Sequence, residues 1–339
     1  MRMQSMFIAS LAIVAAANAQ VTLDGTVDAA YGPAIVVQNT QTQFGDSNLG
    51  FPDYANGSEL NGAFAKIEDG VLFLMLTGNL ESNFNKLEIF IDAVDGGQNK
   101  VRGDNLDVDF NGLNRMGDDL GTTKVVEGLT FDKGFSADLW VSLTCGGSPF
   151  AAYFNYATMP SKGAGTGGYQ GSGGAGAAGA TVFKSGFGFG LDNSNVAGVI
   201  GGTELGDGSG VTTGMEIRIP LGAIPGYTSG DLKVCAFING GGHDYLSNQV
   251  LGSIGGGGNL AEPRAVNFSA IPGDQFFVVP NSGGGNPCPA DLDASGEVNA
   301  ADLATLLGAW GGPGADLDGD GTTSASDLAA MLGAWGACP

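Results

Sequence analysis

Near the C-terminal end of this 339-residue chain, two acidic loops carry side chains whose types and spacing suit a hard divalent cation. In the first, Asp291, Asp293, Ser295, Asn299 and Asp302 stand at positions 1, 3, 5, 9 and 12, with Gly296 at position 6. The second repeats the pattern with Asp316, Asp318, Asp320, Ser324 and Asp327 around Gly321. Calcium takes about six to eight oxygen ligands, and a glycine at position 6 permits the sharp turn that gathers them. Position 7, Glu297 and Thr322, supplies a backbone carbonyl in such loops. Two copies at a fixed offset predict two Ca²⁺ ions, the second held more tightly because it has four Asp ligands against three. Clustered carboxylates repel one another until a cation neutralises them, so binding and folding of such a segment are coupled. A third segment, Asp107, Asp109, Asn111, Gly112 and Asp118, follows the same short pattern. It reads either as a further calcium loop or as a plain acidic hairpin loop.

Each C-terminal loop leads into a short helix. Leu303, Leu306, Leu307 and Trp310 fall at i, i+3, i+4 and i+7, and Leu328, Met331, Leu332 and Trp335 repeat them. That spacing gives one apolar stripe per helix, and the two stripes are expected to pack together as the core of the segment. Of the four cysteines, Cys288 and Cys338 bracket the repeats while Cys145 and Cys235 lie upstream. In an exported chain they suggest two disulfides, Cys145–Cys235 and Cys288–Cys338 if pairing stays within each region, although spacing alone leaves other connectivities open.

These repeats make residues 288–339 resemble a type I dockerin module, with paired loop–helix units and Asp closing each loop. The resemblance implies two bound calcium ions and docking onto a cohesin-like or cell-surface protein. The chain departs from the family at Ala300-Ala301 and Ala325-Ser326, and at Leu307-Gly308 and Leu332-Gly333, where basic residues often sit. Residues 288–339 contain no Lys or Arg. Surface attachment or self-association is the alternative to cohesin docking.

Upstream of the module, the elements are expected to be strands. Residues 1–19 read as a signal peptide, with Arg2 before an apolar run and Ala17-Asn18-Ala19 as the cleavage site, which predicts a secreted or cell-surface protein. Residues 20–280 hold short apolar or alternating runs: 71–77, 86–92, 137–144, 150–156, 215–219, 232–238 and 275–279. Turn residues separate them and no long amphipathic helix intervenes. The fold class expected is mostly β, an antiparallel, jelly-roll-like β-sandwich with a small C-terminal α-helical calcium module. The run 163–180 is nearly all small residues and is expected to be a flexible surface loop, as is 255–258. Residues 281–287 read as a glycine-rich linker.

Leu23-Asp24-Gly25 through Tyr31, then Lys86–Asp92, then Glu216-Ile-Arg-Ile-Pro220 follow one another in an order similar to sandwich domains of the DOMON and family 9 carbohydrate-binding type. That resemblance implies a sugar ligand. Trp140 is the only tryptophan upstream of the module, so Tyr31, Tyr54, Tyr153 or Tyr156 would have to stack on the sugar, unless they are core. His243 is the only histidine and has no G-x-S-x-G elbow to partner it, which favours a structural or turn role over catalysis. A formal net charge of −22 disfavours nucleic acid and anionic membrane surfaces, and no stretch after the signal peptide is long and apolar enough to span a bilayer. The function expected is a secreted calcium-binding protein whose dockerin-like module tethers a carbohydrate-binding or structural sandwich. The alternative is a secreted polysaccharide-degrading glycoside hydrolase carrying a dockerin.

Overall fold

The computed structural model describes residues 20–44, 57–117, 128–174, 179–281, 290–292, 297–312, 314–317 and 322–337. The upstream chain runs through β1 (Val36–Val37), β2 (Glu59–Glu68), β3 (Val71–Asn79), β4 (Lys86–Asp92), β5 (Leu139–Gly146), β6 (Ala151–Thr158) and β7 (Gly167–Gly173). It continues through β8 (Ala180–Val182), β9 (Gly188–Leu191), β10 (Gly214–Pro220), β11 (Leu232–Asn239), β12 (Leu246–Val250) and β13 (Phe277–Val279). They form two antiparallel sheets. One has the order β1-β2-β3-β10-β9-β8, and the other β12-β11-β4-β5-β6-β7, with β13 also pairing β11.

The sheets share one hydrophobic core, giving a β-sandwich-like arrangement. Leu72, Leu74 and Leu76 of β3 meet Leu87, Ile89 and Ile91 of β4 and Leu139, Val141 and Leu143 of β5, all buried. Because side chains alternate across a strand, the intervening residues point away from this core. On the first sheet that outer face is covered by the N-terminal segment, where Val21 and Tyr31 pack on Met75. This double burial is why β3 reads as a continuous apolar run. On the second sheet, Phe90, Trp140 and Phe237 pack beneath the loops that carry Phe131, Phe135 and Phe268, making a second, aromatic core.

Two expectations from the sequence do not hold in the structure. Part of the small-residue run 163–180 is regular structure: β7 pairs with β6, and β8 with β9. Strand pairing needs only backbone N–H and C=O groups, and glycine lets the two sheet edges approach closely. A Cβ on Gly173 would lie 1.9 Å from Thr181 Oγ1 and one on Gly171 2.8 Å from the Phe183 ring, so no larger residue fits. The second correction is that Cys145 and Cys235 are buried free thiols, not a disulfide. Cys235 pairs in register with Phe90 and Phe90 with Trp140, so β4 separates the two cysteine-bearing strands. Strands two apart stand about 10 Å from each other, beyond the ~7 Å Cα limit for a bridge. Cys145 also faces the inter-sheet core while Cys235 faces the outer aromatic one. Alkylation under denaturing, non-reducing conditions, read by peptide mass spectrometry, is expected to modify both fully; a linked Cys145–Cys235 peptide would refute the assignment.

The C-terminal segment contains α1 (Ala300–Gly308) and α2 (Ala325–Gly333), joined through a small ladder of β14 (Glu297–Val298) and β15 (Gly336–Ala337). Leu306 and Met331 are buried with Val298, Ala290 and Ala315, and Leu303 and Leu328 pack against them. The stripes are not wholly consumed by this core. Leu307, Trp310, Leu332 and Trp335 are each about half exposed. Each helix ends at its glycine, two residues before the tryptophan, so the i+7 position lies past the last helical turn. Cys288 and Cys338 lie outside the described residues. Among the described residues no helix is long and apolar enough to cross a membrane.

Candidate functional site

Cross-strand register builds the site on the outer face of the second sheet. Asn239, Lys86, Thr144 and Tyr153 fall in one row across β11, β4, β5 and β6, because Lys86 pairs with both Asn239 and Thr144 and Thr144 with Tyr153. The next row runs Phe237, Glu88, Ser142, Asn155, Tyr169. A strand face this central would ordinarily be apolar, yet Lys86 and Glu88 are 1% and 0% exposed. Buried charges of this kind persist only with partners.

Those partners converge. Glu88 accepts hydrogen bonds from Trp140 Nε1 at 2.7 Å and Asn239 Nδ2 at 3.2 Å, and its Oε1 lies 2.6 Å from His243 Nδ1. Lys86 Nζ donates to Asp109 Oδ2 at 2.9 Å and to Thr144 Oγ1 at 3.2 Å, and Ser142 Oγ donates to the same Asp109 oxygen at 3.1 Å. His243 Nε2 stands 3.4 Å from that oxygen, within ion-pairing distance but without hydrogen-bond geometry. Burial disfavours a charged imidazole, but the Glu88 charge and contacts with Asp109 and Glu88 outweigh it and raise the pKa of His243. Burial likewise acts against ionised Asp109, and its contacts with His243 and Lys86 reverse the effect, holding its carboxyl well below the usual range. Lys86 and His243 thus face Asp109 and Glu88 within ion-pairing distance.

Above this floor lies a cavity of about 580 Å³ lined by Phe84, Lys86, Asp109, Phe110, Thr144, Tyr153, Asn155, Tyr169 and Gly241. Phe84, Phe110 and Tyr169 are 49%, 70% and 57% exposed. The loop bearing Asp109 and Phe110 is pinned by Val108, Leu113 and Met116 in the outer aromatic core, so Asp109 reaches inward while Phe110 stays out. Phe84 (φ 68°), Asp109 (φ 72°) and His243 (φ 52°) all occupy the left-handed region, which disfavours residues with a Cβ. Such backbone concentrates where surrounding structure enforces it, often at ligand sites. Gly146 and Gly241 give Phe84 its room: a Cβ on Gly146 would come within 2.5 Å of the ring.

The structure distributes the sequence-derived candidates unevenly. Of the 107–118 loop, Asp107 and Asn111 are exposed, Asp109 is committed to Lys86, Ser142 and His243, and Asp118 lies outside the described residues. In the C-terminal loops, Asp293, Ser295, Asp318 and Asp320 also lie outside them, while Asp291, Glu297, Asn299, Asp302, Asp316, Thr322, Ser324 and Asp327 are described. Asp302 accepts from the Leu292 N–H at 2.7 Å and the Asn299 N–H at 2.8 Å; Asp327 accepts from Leu317 at 2.7 Å and Ser324 at 2.6 Å. Both carboxylates are buried. Asn299 and Ser324 cap the helices in return, so positions 9 and 12 of each loop also form a capping box. Among the described residues no group of three or more His, Cys, Asp or Glu is placed to hold a metal ion.

Of Tyr31, Tyr54, Tyr153 and Tyr156, Tyr153 alone is among the described residues lining the cavity. Tyr31 is buried and donates to Glu216, which also accepts from the Asp24 and Gly25 N–H groups at 2.7 and 2.9 Å. These landmarks therefore clip the N-terminal segment to the first sheet. Tyr156 stacks on Phe187 at 4.4 Å in the inter-sheet core, and Tyr54 lies outside the described residues. Sequence reasoning missed Phe84, Lys86, Phe110, Thr144, Asn155 and Tyr169. The one available signal was the alternation of Lys86, Glu88 and Phe90 with Leu87, Ile89 and Ile91, a charged face on an otherwise core-like strand. No family model, curated protein or solved structure matches this chain.

Proposed function

We propose that this chain is an exported calcium-binding protein in which the paired loop–helix segment, similar to a dockerin, tethers a carbohydrate-binding β-sandwich to a partner or surface. The observation that carries the tethering reading is the duplicated exposure of Leu307 with Trp310 and Leu332 with Trp335, at the ends of helices whose loops share one capping pattern. Large apolar side chains left in water by a small module mark a surface that another molecule covers. Calcium fits the chemistry of the donors. Residues 288–339 hold eight acidic side chains and no Lys, Arg or His, and their Asp302 and Asp327 carboxylates are buried. When bound, calcium would supply the positive charge that this segment lacks, with Asp291, Asp293, Ser295, Asn299 and Asp302, and their counterparts in the second repeat, as its side-chain donors.

Binding is favoured over hydrolysis at the sandwich. Glycoside hydrolysis uses two carboxyl groups flanking the scissile bond. Among the described residues the cavity is lined by a single one, Asp109, whose charge Lys86 already matches. The test is a pull-down of the full chain on insoluble polysaccharides beside a reducing-end assay. Retention without release of reducing ends is expected. Release of reducing ends would make the protein a hydrolase, and neither result would leave it a structural unit.

A further inference from the structure

We propose that the cavity on the outer face of the second sheet is the sandwich's ligand site, and that it takes an uncharged sugar ring in preference to an anionic one. The proposal rests on the carbohydrate-binding reading above and adds the site, its residues and its charge preference. Three independent features single out this cavity. Phe84, Phe110 and Tyr169 hold aromatic surface in water around a concave floor. Three left-handed non-glycine residues converge on it, Phe84 and Asp109 in its wall and His243 beneath. Finally, the Asn155 side chain and the Tyr153 and Tyr169 hydroxyls make no hydrogen bond to any described residue, although Asn155 is only 2% exposed and lines the cavity.

A pyranose ring matches that combination. Its C–H faces suit aromatic rings, and its hydroxyl edge both donates and accepts, as the Asn155 amide and the tyrosine hydroxyls require. A wholly apolar ligand would strip water from Asn155, Lys86 and Asp109 without replacing the hydrogen bonds, which is unfavourable. The charge preference follows from the floor. Lys86 is already paired with Asp109, and His243 with Glu88, so among the described residues lining the cavity there is no surplus cation. A chain of net charge −22 adds long-range repulsion for any anion.

The experiment is calorimetric titration of the full chain with xylohexaose, cellohexaose and mannohexaose as neutral probes, and with oligogalacturonate as the anionic one. At least one neutral probe is expected to bind, with oligogalacturonate weaker. Tyr169→Ala and Asn155→Ala are each expected to weaken binding about tenfold. Tyr169→Phe, which keeps the ring, should lose less, and Tyr245→Ala, an exposed aromatic outside the cavity lining, should lose nothing. Circular dichroism confirms that each variant folds. Neutral binding that survives both Tyr169→Ala and Asn155→Ala would overturn the site while leaving the carbohydrate reading intact. Tighter binding of oligogalacturonate would overturn the charge preference. Binding of none of these probes, together with no retention on polysaccharide, would remove both.

Discussion

Glu88→Ala is expected to lower the stability of the sandwich by about 3–5 kcal/mol, the range found when one partner of a buried ion pair is removed. The carboxylate it deletes is fully buried and accepts from Trp140, Asn239 and His243. Alanine would leave an indole N–H, an amide and an imidazole facing one another across an apolar gap. The melting temperature should drop on the order of 10 °C. Glu88→Gln keeps the shape and one acceptor, so its loss should be smaller, and Trp140→Phe removes one donor together with part of a buried ring. Urea unfolding at neutral pH measures all three. A change below about 1 kcal/mol for Glu88→Ala would mean that the buried charges are not coupled as their distances indicate.

The same network gives stability a pH signature. The folded-state pKa of His243 is raised, so its contribution is complete below the unfolded value of about 6.5 and is lost as pH rises through the folded value. Asp109 is shifted the other way. Its contribution is complete above the unfolded value of about 3.9 and is lost as pH falls through the depressed one. Both are present together in the window between those two unfolded values. The stability difference between the wild type and His243→Asn should therefore be larger near the acid end of neutrality than at alkaline pH. Asparagine suits this comparison because it tolerates the left-handed backbone at position 243 and does not titrate.

What could be read from the chain follows from which forces leave a local trace. β3, β4, β5, β6, β10 and β11 are visible because hydrophobic burial imposes a period of two or a short apolar run on their residues. β7 is invisible because its pairing uses backbone alone, and glycine carries no pattern. The cavity is hidden for a different reason. Its lining comes from separate stretches around 84–86, 109–110, 144–155, 169 and 241, united only by strand register and by two loops folding over one face. Lys86 and Glu88 were the trace it left, legible as charges in a central strand but with partners more than 20 residues away. The acidic repeats present the converse case. Their spacing is plain in the sequence, yet positions 9 and 12 would be selected by helix capping even in a loop that held no ion. The specific signal is the Asp, Asp and Ser or Asp at positions 1, 3 and 5 with glycine at 6.

That distinction sets up the largest effect expected of the C-terminal segment. Removing calcium should unfold residues 290–337 while the sandwich stays folded, because the segment has a core of only a few side chains and eight acidic groups with no internal counter-charge. At a thousandfold excess over its dissociation constant, an ion that binds only the folded form stabilises by about 4 kcal/mol, comparable with what so small a core supplies. Limited proteolysis of the full chain in calcium and in chelator, read by mass spectrometry, tests this. Cuts are expected to cluster after Asn281 in chelator and to disappear when calcium is restored, with the sandwich fragment surviving throughout. Asp302→Ala and Asp327→Ala should each expose the segment even in calcium. Asn299→Ala and Ser324→Ala, which weaken the cap and only one ligand, should cost about 1 kcal/mol each and leave protection largely intact. If helix capping were the whole purpose of these residues, calcium would make no difference to the cleavage pattern, and all four variants would open the segment to a similar degree.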